Sequence, residues 1–115
     1  SVNFNGVIDG INKLFEIILR NAFIESNDDY ESEWNILRNK NIVKRSFFKT
    51  SLGELIAACR EIKILRRGDL YENLLTAFQK IRTPEKHDTG KVVNAQVNAE
   101  TALNITESVL RQWYQ

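Results

Sequence analysis

Cysteine, histidine and proline are scarce in this chain of 115 residues, which contains one of each. A lone cysteine, Cys59, excludes an intramolecular disulfide and a multi-cysteine zinc site, and it fits a reducing compartment. Its position in a helical pattern predicts an ordinary buried thiol. The chain length suits one continuous helical core, so we expect a single domain over residues 1–115.

An excess of charge of one sign is also missing, since 16 basic and 15 acidic residues leave a formal net charge of +1. Affinity for nucleic acid must therefore come from local clusters. Long apolar runs are missing too, because Lys13, Glu16 and Arg20 interrupt the best candidate for the ~20 residues of a membrane helix. Residues 1–10 lack the basic start and cleavage site of a secretion signal, so we expect a cytoplasmic protein without a membrane span.

Apolar residues recur every three or four positions over most of the chain, which is the spacing of one face of an amphipathic helix. This periodicity predicts α-helices over about residues 3–25, 51–63, 70–82 and 92–114. Two of these helices begin with a capping pattern, in which a second polar group follows three residues after the first: Ser51-Leu-Gly-Glu54 and Asp69-Leu-Tyr-Glu72.

The middle of the chain has a different pattern, in which an acidic run from Glu25 to Glu33 precedes a basic run from Arg38 to Lys49. Its apolar residues fit neither a long helix nor a clean strand. We expect a loop with one or two short helical turns here, with Phe47 and Phe48 in the core. The whole pattern predicts an all-α fold, a helical bundle of about four to five helices.

The polar segment Arg82-Thr-Pro-Glu-Lys-His87-Asp-Thr-Gly90 separates the last two predicted helices and contains the only histidine and the only proline. Arginine is a permanent cation whose planar fork suits phosphate oxygens, and histidine exchanges a proton near neutral pH. In RNA the 2′-hydroxyl is already a nucleophile, so a cation and an acid/base suffice to cleave the chain without a metal. The absence of metal-ligand spacing agrees with this chemistry.

The same residues also have a structural interpretation. Lone histidines in helical linkers are more often surface or capping residues, and an arginine at a helix end often complements the helix dipole. On the residues alone, this interpretation stays open beside the catalytic one.

Arg82 and His87, which lie between two amphipathic helices in the C-terminal half, resemble the Arg-x4–6-His signature of the HEPN superfamily. The string Arg-Thr-Pro-Glu-Lys-His, followed by Thr-Gly two and three positions after the histidine, is similar to the version in bacterial HEPN groups of abortive-infection or uncharacterised type. The helical order around it extends the resemblance to roughly the last two thirds of the chain. The sequence departs from the family at Thr83, where many members have Asn or Asp.

The resemblance implies a metal-independent endoribonuclease without a cofactor, commonly a toxin or an antiphage-defence effector, whose homodimer places two copies of the motif in one cleft. On this resemblance Arg82 orients and neutralises a phosphate of single-stranded RNA, and His87 is the general acid/base. Polar or basic residues near this pair are the expected substrate contacts: Lys80, Thr83, Lys86 and Lys91. An antitoxin or a fused domain is a further implied partner.

A second motif, Leu37-Arg38-Asn39-Lys40, looks more like the Arg-Asn opening of many HEPN motifs, but Lys44 and Arg45 stand where a histidine is required. We exclude it as catalytic. Its basic residues are either candidates for a path of RNA phosphates or a solvated helix face.

Two alternatives to a ribonuclease stay open. One is a non-catalytic HEPN-type module that binds nucleotide or protein as part of a larger multidomain chain. The other is a structural interaction domain in which His87 is an incidental surface residue.

Overall fold

The computed structural model describes residues 4–65, 73, 75–80 and 92–113, and within these ranges no residue belongs to a strand. The helices are α1 at Phe4–Ser26, α2 at Tyr30–Asn39, α3 at Leu52–Glu61, α4 at 75–80 and α5 at Val92–Trp113, with one 3-10 turn at Phe47–Lys49. The prediction of an all-α fold with four to five helices is confirmed.

The chain forms two compact units. The first consists of Ser1–Asn12 and Leu70–Gln115, and the second consists of Lys13–Asp69. The expectation of one domain over the whole chain stays a prediction.

The long helix α1 forms because its apolar residues keep a spacing of three or four over six turns. The buried members of this face are Ile8, Ile11, Phe15, Ile18, Leu19 and Phe23. The predicted range of 3–25 agrees with Phe4–Ser26 to within one residue at each end.

In the first unit, α5 agrees with the predicted helix of 92–114 to within one residue. Thr106 is buried, and its hydroxyl donates to the carbonyl of Ala102 at 2.7 Å, so this polar group is satisfied inside its own helix. The helix predicted over 70–82 is confirmed at residues 73 and 75–80, where Leu75 and Phe78 are buried. The expected cap at Asp69 lies outside the described residues.

In the second unit, α2 is a helix of ten residues where the pattern predicted only one or two short turns, so that prediction is wrong. Asp29 begins the helix, because its carboxylate accepts hydrogen bonds from the Ser32 backbone N–H at 3.2 Å and from the Ser32 hydroxyl at 2.8 Å. These bonds, the backbone one first, lower the pKa of Asp29. Trp34 and Leu37 are the buried residues of α2.

The aromatic core of the second unit forms around Trp34. Its ring lies edge-on to Phe23 and to Phe47, with ring centroids 5.3 and 5.1 Å apart, an arrangement that sets the positive ring edge against the negative ring face. Phe47 is buried as predicted, whereas Phe48 is 67% exposed, so the prediction of a core position for Phe48 is wrong. The 3-10 turn directs the two consecutive side chains differently.

The start of α3 follows the capping pattern in part. The Ser51 hydroxyl accepts a hydrogen bond from the Glu54 N–H at 3.4 Å, as predicted. The Glu54 carboxylate bonds elsewhere, however, and its partners belong to the preceding loop. The helix buries Cys59 completely, with its sulfur 3.9 Å from the carbonyl oxygen of Leu19, which confirms the buried thiol.

Candidate functional site

The predicted catalytic pair, Arg82 and His87, lies outside the described residues, as do the expected substrate contacts Thr83, Lys86 and Lys91. Lys80 is the one predicted site residue that the structure describes, and it is an exposed residue of α4. The motif is flanked in sequence by α4 and α5, as the periodicity predicts. That the Arg82 guanidinium and the His87 imidazole lie close together stays a prediction.

A polar pocket lies in the second unit, at the C-terminal end of α2. Its volume is about 600 Å³, within the range of small-molecule sites. Three asparagines, two cations and one valine line it: Asn35, Arg38, Asn39, Asn41, Val43 and Lys44. The motif rejected as catalytic thus forms part of a pocket wall.

One wall of this α2 pocket is the last part of the helix itself. Asn35, Arg38 and Asn39 stand at positions i, i+3 and i+4, so they share one helix face, and all three are exposed. Exposure leaves their amide and guanidinium groups available to a ligand.

The helix ends in a tight turn that completes the pocket. The Asn41 N–H donates to the Arg38 carbonyl and the Ile42 N–H donates to the Leu37 carbonyl, each at 3.0 Å, which is the Schellman pattern. Asn41 has φ 59°, in the left-handed region that asparagine tolerates better than most residues. These bonds occupy carbonyl oxygens at the C-terminal end of α2, which is the negative end of the helix dipole. A carbonyl that already accepts a hydrogen bond repels a bound anion less than a free carbonyl would.

The second wall belongs to residues 41–50, which we call the clamped loop. Side chains from outside the loop hold its backbone. The Trp34 indole donates to the Arg45 carbonyl at 2.9 Å, and the Glu54 carboxylate accepts from the Lys44 N–H at 2.6 Å. The conformation beside Lys44 is therefore fixed by two residues outside the loop.

Arg20 holds the far end of the clamped loop. Its Nε donates to the Phe47 carbonyl at 3.2 Å and its Nη2 donates to the Thr50 carbonyl at 2.8 Å. A planar guanidinium can bridge two carbonyls in this way because its donors point in fixed directions. Three helices, α1, α2 and α3, thus each contribute one clamping side chain.

The surface around the α2 pocket is basic. The exposed cations near it in sequence are Arg38, Lys40, Lys44, Arg45 and Lys49, and within the described part of the chain none of their side chains forms an ion pair. Negative charge is present as well, because Glu31 and Glu33 lie in the first turn of α2 and the Glu54 carboxylate accepts from the Lys44 N–H at 2.6 Å.

Phe48 adds an exposed aromatic ring to the clamped loop. Its ring meets Phe47 edge-on at a centroid distance of 5.0 Å and Tyr30 edge-on at 6.5 Å. These contacts position one side of the ring while 67% of the residue stays open to solvent. In sequence, Arg45 and Lys49 flank it.

Other kinds of site find little support in the described ranges. No group of three or more His, Cys, Asp or Glu side chains comes together there in a way that would hold a metal ion. Burial raises the pKa of the Cys59 thiol to about 12, which makes it a poor nucleophile. None of the helices, as far as they are described, has the length and apolarity to cross a membrane.

Sequence reasoning missed the α2 pocket because it missed α2. Two local signals mark this helix: Asp29 three residues before Ser32 is an N-cap pattern, and Asn41 just beyond the last turn is a residue type common at helix ends. The exposed position of Phe48 has no such signal.

Comparisons of the chain with protein-family models, with curated proteins and with solved structures find no match. The resemblance to HEPN proteins is therefore carried by the motif and its place between two helices.

Proposed function

We propose that this protein is a metal-independent endoribonuclease of HEPN type, acting as a toxin or an antiphage-defence effector. It cleaves single-stranded RNA in a cleft completed by a second copy of the chain. The observation that carries the proposal is that Arg82 and His87 lie, in the sequence, between α4 and α5, two helices that the periodicity predicted. The all-α fold is the class that the resemblance implies.

In the proposed reaction, His87 removes the proton of the 2′-hydroxyl, and the 2′-oxygen attacks the adjacent phosphorus. Arg82 balances the charge that develops on the phosphorane oxygens. The bond to the 5′-oxygen breaks, and the leaving oxygen takes a proton from the His87 of the second copy. The products are a 2′,3′-cyclic phosphate and a 5′-hydroxyl, and no metal takes part.

The proposed substrate contacts extend on both sides of this pair. Lys80, an exposed residue of α4, binds a neighbouring phosphate as a point charge on a flexible side chain. Thr83, Lys86 and Lys91 supply further hydrogen bonds and positive charge. An antitoxin or a fused domain is a proposed partner that would control the activity.

The test is cleavage of labelled single-stranded RNA in EDTA by the wild type, His87→Ala and Arg82→Ala. Arg111→Ala is the matched control, because Arg111 is an exposed arginine of α5 paired only with Glu107 in the described structure. We expect His87→Ala and Arg82→Ala to lose about 10²–10⁴-fold in rate, with the control unchanged. Equal activity in all variants, or none in the wild type, would remove the proposal.

A second candidate, a non-catalytic module that binds nucleotide or protein, is favoured by the α2 pocket. The described residues that line this pocket all belong to residues 35–44 of the second unit. A wild-type protein that binds RNA tightly but leaves it intact in every buffer supports this candidate instead.

A further inference from the structure

We propose that the α2 pocket and the clamped loop as far as Phe48 form a binding surface for single-stranded nucleic acid, built from residues 35–48 of the second unit. Arg38 and Lys44 bind phosphate oxygens, and Phe48 stacks on a base. This inference goes beyond the proposed cleavage, since a surface that binds a strand does not require a motif that cuts it.

The first support is the placement of the two cations. Arg38 stands on the helix wall of the pocket and Lys44 on the loop wall, so an anion in the pocket is reached from both sides. Both side chains are exposed, and neither forms an ion pair with any described carboxylate. Glu54, the carboxylate that contacts this loop, has its oxygens engaged by the Lys44 N–H and the Thr50 hydroxyl.

The second support is the asparagine content of the pocket. Asn35, Asn39 and Asn41 each offer a donor and an acceptor. Inorganic phosphate needs only donors, whereas the edge of a nucleobase presents donors and acceptors together. Two cations beside three amides therefore match a nucleotide unit better than a bare anion.

The third support is Phe48, an apolar ring that stays 67% exposed on a basic loop. Proteins that bind single strands combine a positively charged path for the backbone with aromatic rings on which bases stack. Phe47 and Tyr30 hold the Phe48 ring by edge contacts, and Tyr30 is the first residue of α2, so the ring lies toward the opposite end of that helix from the pocket. A strand that follows the clamped loop from Lys44 can stack a base on its exposed side. Arg45 and Lys49 place further positive charge on both sides of it in sequence.

The fourth support is that the surface is ordered before a ligand arrives. Arg20, Trp34 and Glu54 fix the backbone of the clamped loop through four hydrogen bonds. A preformed loop loses less conformational freedom on binding, so more of the contact energy appears as affinity.

The binding experiment uses the full chain with His87→Ala, which prevents cleavage of the probe under the proposed mechanism. Fluorescence anisotropy measures affinity for labelled oligouridine and oligothymidine of about twelve nucleotides, a length in the usual range of single-strand sites. Titrations at about 50 and 200 mM salt give the salt dependence. The oligothymidine arm tells RNA-specific binding from general single-strand binding, and either supports the proposal.

Three test variants and one control are compared in this background. The double variant Arg38→Ala with Lys44→Ala should bind at least ten-fold more weakly at low salt. The salt slope, which is the slope of log affinity against log salt concentration, should fall in magnitude by about 1.4 because two phosphate contacts are lost. Phe48→Ala should weaken binding about ten-fold with the salt slope unchanged, and Phe48→Trp should restore affinity. The control, Lys13→Ala with Arg111→Ala, removes one exposed lysine and one exposed arginine elsewhere and should change affinity less than two-fold.

The proposal is overturned if the pocket variant binds as tightly as the control pair, or if the parent binds neither oligonucleotide. Circular dichroism and thermal unfolding verify that each variant is folded; should the double alanine variant unfold, Arg38→Gln with Lys44→Gln replaces it. If the wild type cleaves RNA and the Arg38/Lys44 variant binds normally, the proposed nuclease function stands and the proposed binding surface is rejected. If binding depends on Arg38 and Lys44 but the wild type does not cleave RNA, the binding surface stands and the nuclease function is rejected.

Discussion

The Glu54 carboxylate accepts a hydrogen bond from the backbone N–H of Lys44, with 2.6 Å between Oε2 and the nitrogen. Its other oxygen accepts from the Thr50 hydroxyl at 3.3 Å. One carboxylate in the first turn of α3 thus connects Lys44 and Thr50, near the start and at the end of the clamped loop, to that helix. It does so in place of the capping bond back to Ser51 that the sequence pattern suggests.

This contact predicts that Glu54→Gln lowers the free energy of unfolding by about 1 kcal/mol and Glu54→Ala by about 2 kcal/mol. The reason is that a charged acceptor forms a stronger bond than a neutral one, and alanine leaves the Lys44 N–H without it. Urea denaturation followed by circular dichroism measures the change. Glu61→Gln, an exposed position at the end of the same helix, is the control and should stay within about 0.5 kcal/mol. A Glu54→Gln variant as stable as the wild type contradicts the prediction.

Arg20 bridges two carbonyls, so Arg20→Lys should destabilise the second unit although the charge is kept. A lysine ammonium is a compact donor that cannot reproduce the fork contacting Phe47 and Thr50, and we expect a loss of about 1–2 kcal/mol. Hydrogen exchange should also become faster at the Lys49 N–H, which bonds to Ser46 within the clamped loop. Lys13→Arg, at an exposed position on the same helix, serves as the control. Unchanged exchange in Arg20→Lys argues against the clamp.

Cys59 should resist thiol reagents in the folded protein. It is fully buried, and burial raises its pKa from 9.0 to about 12, so almost no thiolate forms at pH 8. We expect a disulfide reagent to label Cys59 slowly in buffer and rapidly in denaturant. At intermediate denaturant concentrations, the rate of labelling should be limited by opening of the fold. Rapid labelling of the native protein at pH 8 would mean that the thiol is accessible.

The same pKa shift predicts how stability depends on pH. Below about pH 9 the thiol is protonated in both folded and unfolded chains, so it contributes no pH dependence. Between pH 9 and about 12 the unfolded chain releases a proton that the folded chain keeps, so this group lowers stability as pH rises, by up to about 1.4 kcal/mol per unit.

Cys59→Ala isolates this effect from other titrating groups. The variant loses packing and should be about 1–2 kcal/mol less stable than the wild type at pH 7. At pH 10.5 the difference in the free energy of unfolding between the wild type and Cys59→Ala should be smaller by about 1–2 kcal/mol, because only the wild type contains the titrating thiol. Urea denaturation at several pH values measures both curves, and parallel curves would disprove the shift.

Lys63 follows Ile62, the C-cap of α3, and has φ 67°, a conformation that costs free energy for a residue with a Cβ atom. Lys63→Gly should therefore stabilise the protein by about 0.5–1 kcal/mol, after the greater freedom of glycine in the unfolded chain is included. Asn41→Gly is the matched control with φ 59°, and its effect should be smaller because asparagine already tolerates this region. Thermal unfolding compares the two, and a destabilised Lys63→Gly would be the contrary result.

Periodicity predicted the long helices well because their buried faces repeat without interruption. In α1 and α3 the apolar residues keep the helical spacing, and Ser51 marks the start of α3. In α2 only Trp34 and Leu37 are buried, and charged or polar residues occupy most of its other positions. Two anchors three residues apart are too few for a periodic signal, so the helix depends on its caps and on tertiary packing.

The candidate surface was harder to predict because it depends on contacts between distant residues. The Glu54 bond to Lys44 spans ten positions, and the Arg20 bonds to the clamped loop span 27 and 30. No local pattern encodes such pairs. The chemical motif at Arg82 and His87 is the reverse case, since its residue types suggest a reaction while its geometry lies outside the described residues.

The clamped loop is held through its main chain by side chains that belong to three surrounding helices. The outward side chains of Lys44, Arg45 and Lys49 take no part in those bonds, so other residues at these positions leave the path of the loop intact. Evolution can therefore alter what this surface recognises while it preserves the scaffold beneath. Relatives of the protein should differ most at these outward positions and least at Arg20, Trp34 and Glu54.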